Sequence, residues 1–163
     1  MKLSVLLVCA LALSPVVAAQ EVAGGWRRIA DNHGSSLEVP GLLLRRVNAQ
    51  YGLSFVGSDG TRVTFETITE ARPGFPGNDP EADMDLKRSD CTSWPPAYRV
   101  VKARVAAYSC IKGNSIVYYS ARYNGSGSVT LRANYPKSHG STWDKAVSRM
   151  STSMRQLVRW EVR

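Results

Sequence analysis

The sequence of 163 residues predicts an α+β fold, in which an antiparallel β-sheet meander is covered by a C-terminal amphipathic helix. Two observations lead to this prediction. Between residues 36 and 135, apolar and polar residues alternate over several segments, and turn-forming residues separate these segments as in hairpin-connected strands. From Trp143 onward, apolar residues instead recur every three or four positions, which is the spacing of one helix face.

The first nineteen residues have the pattern of a secretory signal peptide. Lys2 supplies a positive charge, residues 3–13 are almost wholly apolar, and Val17-Ala18-Ala19 precedes the predicted cleavage. The apolar run is shorter than the roughly 20 residues that a transmembrane helix needs. We therefore expect a mature chain without a transmembrane span, located in the periplasm or secreted.

The mature chain is predicted to be a flexible lead over residues 20–25 and a single α+β domain over residues 26–163. One domain of this length can bury a proper core. The net charge of the whole chain is +8, and most of it stays after Lys2 is removed. This charge favours anionic partners. No run of five like charges occurs, so we expect no nucleic-acid partner.

The first half of the domain is predicted to consist of short strands. Four segments have strand-like composition: 26–29, 36–39, 42–47 and 51–56. Residues 57–60 form a turn, because Asp and Gly accept the backbone geometry of tight hairpins. Residues 62–69 then alternate, which places Val63 and Phe65 on one face and the intervening polar residues on the other.

A long acidic segment rich in Pro and Gly separates the two halves. It covers residues 71–85, and a helical turn is expected near residues 81–86. Its acids resemble a calcium loop in their spacing, but the Asp-x-Asn-x-Asp-Gly pattern is missing. We therefore interpret them as a solvated acidic loop: Asp79, Glu81, Asp83 and Asp85.

The second half has the clearest meander pattern. Residues 98–110 are predicted to form one long strand, with Lys102 and Arg104 toward solvent and Val101 and Ala103 toward the core. The remaining strands and turns follow in order: a turn at 112–114, a strand at 115–123, a turn at 124–127 and a strand at 129–135.

The last element is predicted to be an amphipathic helix that packs on the sheet. Residues 141–144 resemble a capping box, with Asp in place of the usual Glu. Lys145, Arg149 and Arg155 lie off the apolar face. The residues on that face are interpreted as core: Trp143, Val147, Met150, Met154 and Leu157.

Cys91 and Cys110 are the two cysteines of the mature chain. They are too far apart in sequence for a Cys-x-x-Cys redox pair, and a zinc site would need four closely spaced ligands. Export places the chain in an oxidising compartment. A structural disulfide between Cys91 and Cys110 is therefore the favoured interpretation.

No catalytic, metal or cofactor-binding constellation stands out in the sequence. His33 lies in a polar turn and His139 in the loop before the last helix, and each is interpreted as a solvent-exposed residue and not as a general base. No Gly-rich phosphate loop opens a helix. We expect a protein that is not an enzyme and that has no cofactor.

Aromatic and basic residues of the second half could form a binding surface for sugars, bases or a protein. The competing interpretation is that they are ordinary strand residues, half of which pack inward. The candidate residues are Trp94, Tyr98, Lys102, Arg104, Tyr118 and Arg122.

The chain resembles small exported bacterial proteins of unassigned function with the Mog/PsbP-like fold. The resemblance rests on the strands, the Asn134-Tyr135-Pro136 strand end and the final helix, and covers residues 26–158. The segments that carry it are SDGTRVTFET, YRVVKARVAAYSC, SIVYYSARYNG and SVTLRANYPKSHGSTWDKAVSRMSTSM. It implies an α/β/α sandwich, or one antiparallel sheet covered by helices. It also implies a binding or scaffolding role, and transfers no catalytic residue. The insert at 71–85 and the two cysteines depart from the pattern.

These observations favour an exported, non-enzymatic binding protein that recognises a macromolecule in the bacterial envelope. An adaptor, an assembly factor and an immunity-type factor are versions of this hypothesis, and each has a protein partner. One alternative is a basic envelope protein that binds anionic glycan or lipid. A second alternative is a small secreted hydrolase that uses His33 or His139 with the acidic loop.

Overall fold

The computed structural model describes residues 20–22, 25–69, 79–125 and 127–156. The predicted signal peptide, most of the acidic segment and Leu157 lie outside the described residues. The described part contains ten strands and two α-helices. In chain order they are β1 (Gln20–Val22), β2 (Trp26–Ala30), β3 (Ser36–Pro40), β4 (Arg45–Val47), β5 (Leu53–Val56), β6 (Arg62–Thr69), α1 (Pro80–Leu86), β7 (Tyr98–Lys102), β8 (Val105–Lys112), β9 (Ser115–Tyr123), β10 (Gly127–Pro136) and α2 (Gly140–Ser153).

Seven strands form one antiparallel sheet in the order β4-β5-β6-β10-β9-β8-β7. Strands β4 to β6 and strands β7 to β10 are two meanders, each made of sequential neighbours. They are joined where β6 pairs with β10, with Arg62 opposite Asn134 and Thr69 opposite Gly127. Strands β1, β2 and β3 form a separate antiparallel sheet, so the predicted lead over residues 20–25 contains strand β1.

The main core lies between the large sheet, the small sheet and α2. The alternation in β6 is confirmed, since Val63 and Phe65 are fully buried there. Helix α2 contributes the residues expected from its spacing: Trp143, Val147 and Met150, followed by Met154 just after the helix.

A second, smaller core lies on the opposite face of the large sheet. There α1 packs Met84 against alternate residues of β8 and β9, including Tyr108 and Tyr119. Cys91 and Cys110 form the predicted disulfide beside this core, with Cα atoms 5.6 Å apart. The bond ties the segment after α1 to strand β8.

The single strand predicted over residues 98–110 is wrong. The segment is a hairpin in which β7 and β8 pair from Lys102 and Val105, and Ala103 and Arg104 form the two-residue turn. No residue of this turn has a positive φ, and none is Gly, Asn or Pro. The turn therefore lacks the residues that mark hairpins in a sequence. Consequently Ala103 is exposed and does not face the core.

Two further local predictions are wrong. Residues 42–44 belong to a turn and a connecting residue, and the strand begins only at Arg45. The predicted capping box is absent, because α2 begins at Gly140 and its N-cap His139 makes no side-chain cap bond. Asp144 instead accepts a hydrogen bond of 2.7 Å from the hydroxyl of Tyr135, which lies on β10.

Candidate binding groove

Helix α2 contacts β10 and β9 but leaves β7 and much of β8 uncovered on its side of the sheet. The uncovered part and the C-terminal half of α2 form the walls of an open depression of about 750 Å³. We call this depression the groove. Its principal side chains are Tyr98, Arg104, Tyr118, Ser120, Arg122 and Arg155.

The strand register explains how the floor of the groove is formed. Val100, Ala107 and Ser120 stand opposite one another across β7, β8 and β9. Directly paired residues project to the same face of a sheet, so these three side chains form one row of the floor. Two of the three are small, and this row leaves space under the helix end.

Flanking rows place larger side chains at both ends of the floor. Tyr98 lies in one row with Ser109 and Tyr118, and Lys102 lies in the other with Val105 and Arg122. Tyr98 is 47 % exposed. The groove therefore has aromatic side chains at one end and basic side chains at the other.

Hydroxyl groups line the wall between the helix and the floor. Ser151 on α2 donates a hydrogen bond of 2.9 Å to the hydroxyl of Ser120 on β9. Tyr118 lies beside them. Burial raises the pKa of the Tyr118 phenol, while hydrogen bonds with Ser151 and Ser120 act in the opposite direction. These groups offer both donors and acceptors to a ligand at the helix end.

Arg122 forms the cap of helix α2. Its guanidinium donates to the carbonyl oxygens of Ser151, Thr152 and Met154 at 2.9 to 3.2 Å. The last carbonyls of a helix have no partner within the helix, so a cation at this end satisfies them and complements the helix dipole. Arg122 thus fixes the groove wall and also adds positive charge to it.

The charged side chains that line the groove are all positive. Arg104, Arg122 and Arg155 line it, and no Asp or Glu is among the described lining residues. Within the described ranges, neither Arg104 nor Arg155 forms a salt bridge. Lys102 projects from the same face of β7. Such a concentration of unbalanced positive charge favours an anionic ligand.

The structure brings five of the six candidate surface residues to one face. Tyr98, Arg104, Tyr118 and Arg122 line the groove, and Lys102 lies on the same face at its edge. Trp94 lies elsewhere. It packs in the second core, edge-on to Tyr108 with ring centroids 5.8 Å apart.

The interpretation of the acids as a solvated loop is wrong for Asp83. This residue of α1 is 5 % exposed, and its carboxylate accepts hydrogen bonds from the hydroxyls of Tyr119 and Tyr123. Asp90 is likewise buried and accepts from Tyr108 and Arg132. Sequence reasoning missed both acids. The available signal was the run of inward-facing tyrosines, because buried phenol hydroxyls need acceptors.

The remaining acids of the segment behave as expected for surface residues. Glu81 and Asp85 are exposed and pair with Arg99 and Arg88. Asp79 is the N-cap of α1 and accepts from the backbone N–H groups of Glu81 and Ala82. Helix α1 and its N-cap therefore have exposed acids on one side and, on the other, the buried Asp83 that binds tyrosine hydroxyls.

His139 and Asp59 form a histidine–carboxylate pair, with Nδ1 and Oδ2 3.5 Å apart. Asp59 already accepts a 2.7 Å hydrogen bond from Trp143 Nε1 and one from the Thr61 N–H. Burial raises the pKa of Asp59, but these hydrogen bonds outweigh it and hold the pKa below its ordinary value. Asp59 thus anchors α2 to the 57–60 turn.

The described residues contain no group of three or more His, Cys, Asp or Glu side chains placed to hold a metal ion. None of the described helices is long and apolar enough to cross a membrane.

Comparison with known proteins supports the fold and no closer relationship. No protein-family model matches the chain. No curated protein matches it either. Among solved structures, it is similar to the solution structure of cyanobacterial PsbP (CyanoP) from Synechocystis sp. PCC 6803. The TM-score is 0.54 at 12 % identity, and the match covers 90 % of this chain and 98 % of that one. The chain therefore has a PsbP-like fold.

Proposed function

We propose that this protein is an exported, non-enzymatic binding protein that recognises an acidic protein in the bacterial envelope through the groove. The observation that carries the proposal is the groove itself. Its lining includes three arginines and no described acid, and Tyr98 stands exposed at its rim. Tyrosine and arginine are among the side chains enriched at protein interfaces.

The edge of the sheet supports a protein ligand over a small anion. Strand β7 ends the sheet and pairs only with β8 among the described residues. An edge strand has one row of backbone donors and acceptors available to a partner strand. A segment added there would run beside Tyr98, Val100 and Lys102, which all face the groove side.

The buried carboxylates, which are the described groups most similar to catalytic acids and bases, already accept structural hydrogen bonds. This favours a non-enzymatic function. Asp83 and Asp90 accept from tyrosines, and Asp59 accepts from Trp143. A general base needs a lone pair directed at a substrate proton. No Asp or Glu is among the described residues that line the groove, so the carboxylates that pair with its arginines would come from the bound protein.

The decisive experiment is affinity capture of the tagged mature protein from its own envelope extract, with identification by mass spectrometry. The test variant is Arg104→Glu with Arg155→Glu. The control variant is Arg62→Glu with Lys137→Glu, which changes the net charge equally at exposed positions away from the groove. We expect wild type and control to retain one stoichiometric acidic protein that the groove variant loses.

Two outcomes would contradict the proposal. If the groove variant captures the same protein as wild type, the groove is not the binding site. If all three forms retain only anionic glycan or lipid, and high salt removes it, then charge alone determines binding. An immunity-type role makes a further demand: the captured protein should be an exported toxin encoded beside this chain, bound in a one-to-one complex.

A further inference from the structure

Two successive leucines project from the turn between β3 and β4. Leu42 is 89 % exposed and Leu43 is 45 % exposed, while Leu44 is buried in the core. We call residues 41–43 the leucine turn. The other large exposed apolar side chains of the described residues stand singly: Tyr51, Leu86, Tyr98 and Ile111. Isolated exposed apolar residues are ordinary, but an exposed pair at a tip calls for a partner.

Backbone hydrogen bonds hold the leucine turn in place. The N–H of Gly41 donates to Gly25 O at 2.8 Å, and the N–H groups of Leu43 and Leu44 donate to Pro40 O at 3.1 Å. Arg27 donates to Gly41 O at 2.8 Å, and its side chain fills the space that a Cβ at Gly41 would need. The leucines are thus presented by an ordered turn.

An apolar hollow with a basic rim adjoins the leucine turn. It measures about 400 Å³ and is lined by Trp26, Leu42 and Leu43, with Lys145 and Arg149 of α2 beside them. The Arg149 guanidinium stacks over the Trp26 ring, 4.3 Å from its centroid. This hollow lies on a different part of α2 from the groove, which uses Ser148, Ser151 and Thr152.

The surroundings of the turn carry excess positive charge. Arg45 and Arg46 follow the turn and are exposed, as are Arg27 and Lys145. Within the described residues, none of these four forms a salt bridge. Two acids lie nearby and both are engaged. Glu38 is paired with Arg28 and Arg149, and Asp59 accepts from Trp143 Nε1 and from the Thr61 N–H.

We propose that the leucine turn is a membrane contact, in which Leu42 and Leu43 enter an anionic lipid surface while Arg27, Arg45, Arg46 and Lys145 bind its headgroups. The position of the leucines at the tip of a turn favours a lipid bilayer as the partner. Side chains that project from the surface can insert into the hydrocarbon region of a bilayer without a matching pocket. The charge favours anionic headgroups directly above that medium. This site is independent of the groove.

The test measures sedimentation of the mature protein with vesicles, so that the apolar residues 3–13 cannot contribute. One vesicle set is an equimolar mixture of phosphatidylcholine and phosphatidylglycerol, and the other is phosphatidylcholine alone. We expect wild type to bind the anionic set, and Leu42→Ser with Leu43→Ser to bind at least about tenfold more weakly. The control, Leu86→Ser with Ile111→Ser, removes two exposed apolar residues elsewhere and should bind as wild type.

The basic residues have their own variant and control. Arg45→Gln with Arg46→Gln should weaken binding at low salt by about tenfold, and Arg62→Gln with Lys137→Gln should weaken it much less. A fluorescent label on Leu42→Cys should report transfer into an apolar medium when anionic vesicles are added. The same label on Ile111→Cys should not.

The proposal is overturned if wild type does not bind the anionic vesicles, or if the leucine variant binds as tightly as wild type. It is also overturned if the label on residue 42 stays in water while the protein binds, because adsorption would then be electrostatic only. If vesicles are not bound but the leucine variant loses a captured protein, the turn is a protein contact. Tyr98→Ser should leave vesicle binding unchanged, so failure here is distinct from failure of the groove.

Discussion

Two charged side chains stabilise the fold by forming hydrogen bonds with groups that would otherwise be unsatisfied. One is a cation at a helix end, and the other is a carboxylate beside buried tyrosine hydroxyls. Arg122 closes one end of α2 by donating to three carbonyls. Asp83 joins α1 to the sheet by accepting from two tyrosines. Each role can be tested by removing one side chain.

Replacement of Arg122 by Met should lower the free energy of unfolding by about 1–3 kcal/mol, because the carbonyls at the end of α2 lose their charged donor. Urea denaturation followed by circular dichroism measures this loss. Arg104→Met is the matched control, since Arg104 lies in the same groove without a salt bridge within the described residues, and its unfolding curve should stay unchanged. Equal stability of the two variants would refute the capping role.

Replacement of Asp83 by Ala should cost roughly 2–4 kcal/mol of stability, because it leaves the hydroxyls of Tyr119 and Tyr123 buried without an acceptor. Asp85→Ala on the same helix removes an exposed acid whose salt bridge is weak, and should change stability by less than about 0.5 kcal/mol. The comparison uses chemical denaturation of both variants. A small effect at Asp83 would mean that water replaces the carboxylate.

Strands and helices were predictable from sequence where the residue pattern that indicates them lies within the element itself. The bounds of β6 and β9 are those expected from alternation, and the apolar face of α2 was readable from its spacing. The β7–β8 hairpin was not readable, because Ala103 and Arg104 have no special turn propensity. The same error concealed part of the groove, since the turn places Arg104 at its rim.

At the scale of elements, the second core contains one covalent cross-link, the bond between Cys91 and Cys110. The disulfide closes a loop of about 20 residues that includes Trp94 and strand β7. Replacing both Cys91 and Cys110 by Ala should cost about 3 kcal/mol, chiefly because the unfolded chain gains freedom. Thermal unfolding of the variant and of reduced wild type should give matching losses. Hydrogen exchange should show faster opening in α1 and β7 than in α2, and uniform acceleration would contradict this local role.

At the scale of the whole molecule, the layers bury most of the tyrosines. Burial raises the pKa of Tyr108, Tyr119, Tyr123 and Tyr135, and the carboxylates that accept from their hydroxyls raise it further. In the unfolded chain the same phenols titrate near pH 10. Folding therefore keeps these groups protonated at a pH where the unfolded chain would lose their protons.

This difference predicts alkaline instability with a definite sign. Below about pH 10 the phenols are neutral in both states, and stability is fully present. As the pH rises above that value, the unfolded state releases protons and stability falls. A spectrophotometric titration should show these phenolates appearing together with unfolding. Gradual ionisation of all seven tyrosines near pH 10, with the fold intact, would contradict the buried arrangement.

Charge and fold class were also predictable at this scale. Five of the six residues predicted for a binding surface lie on one face, but the groove that they help to form was not predictable. The net charge and the antiparallel sheet follow from counting and from periodicity. The groove depends on strand order, because Tyr98 and Tyr118 share a row only through β8. Contacts of this kind join residues that are distant in sequence, and no local pattern encodes them. For the same reason Trp94 was placed on the wrong face.

The pairing of β6 with β10 has a consequence for folding during synthesis of the chain. Both meanders can assemble from local hairpins, but Val63 and Phe65 of β6 lack one of their two neighbouring strands until residues 127–136 have been synthesised. During that interval a growing chain exposes a long, half-apolar strand edge, which is the kind of surface that aggregates or recruits chaperones. Truncated chains that end before residue 127 should therefore accumulate in the insoluble fraction, even though they contain six complete strands of the final sheet.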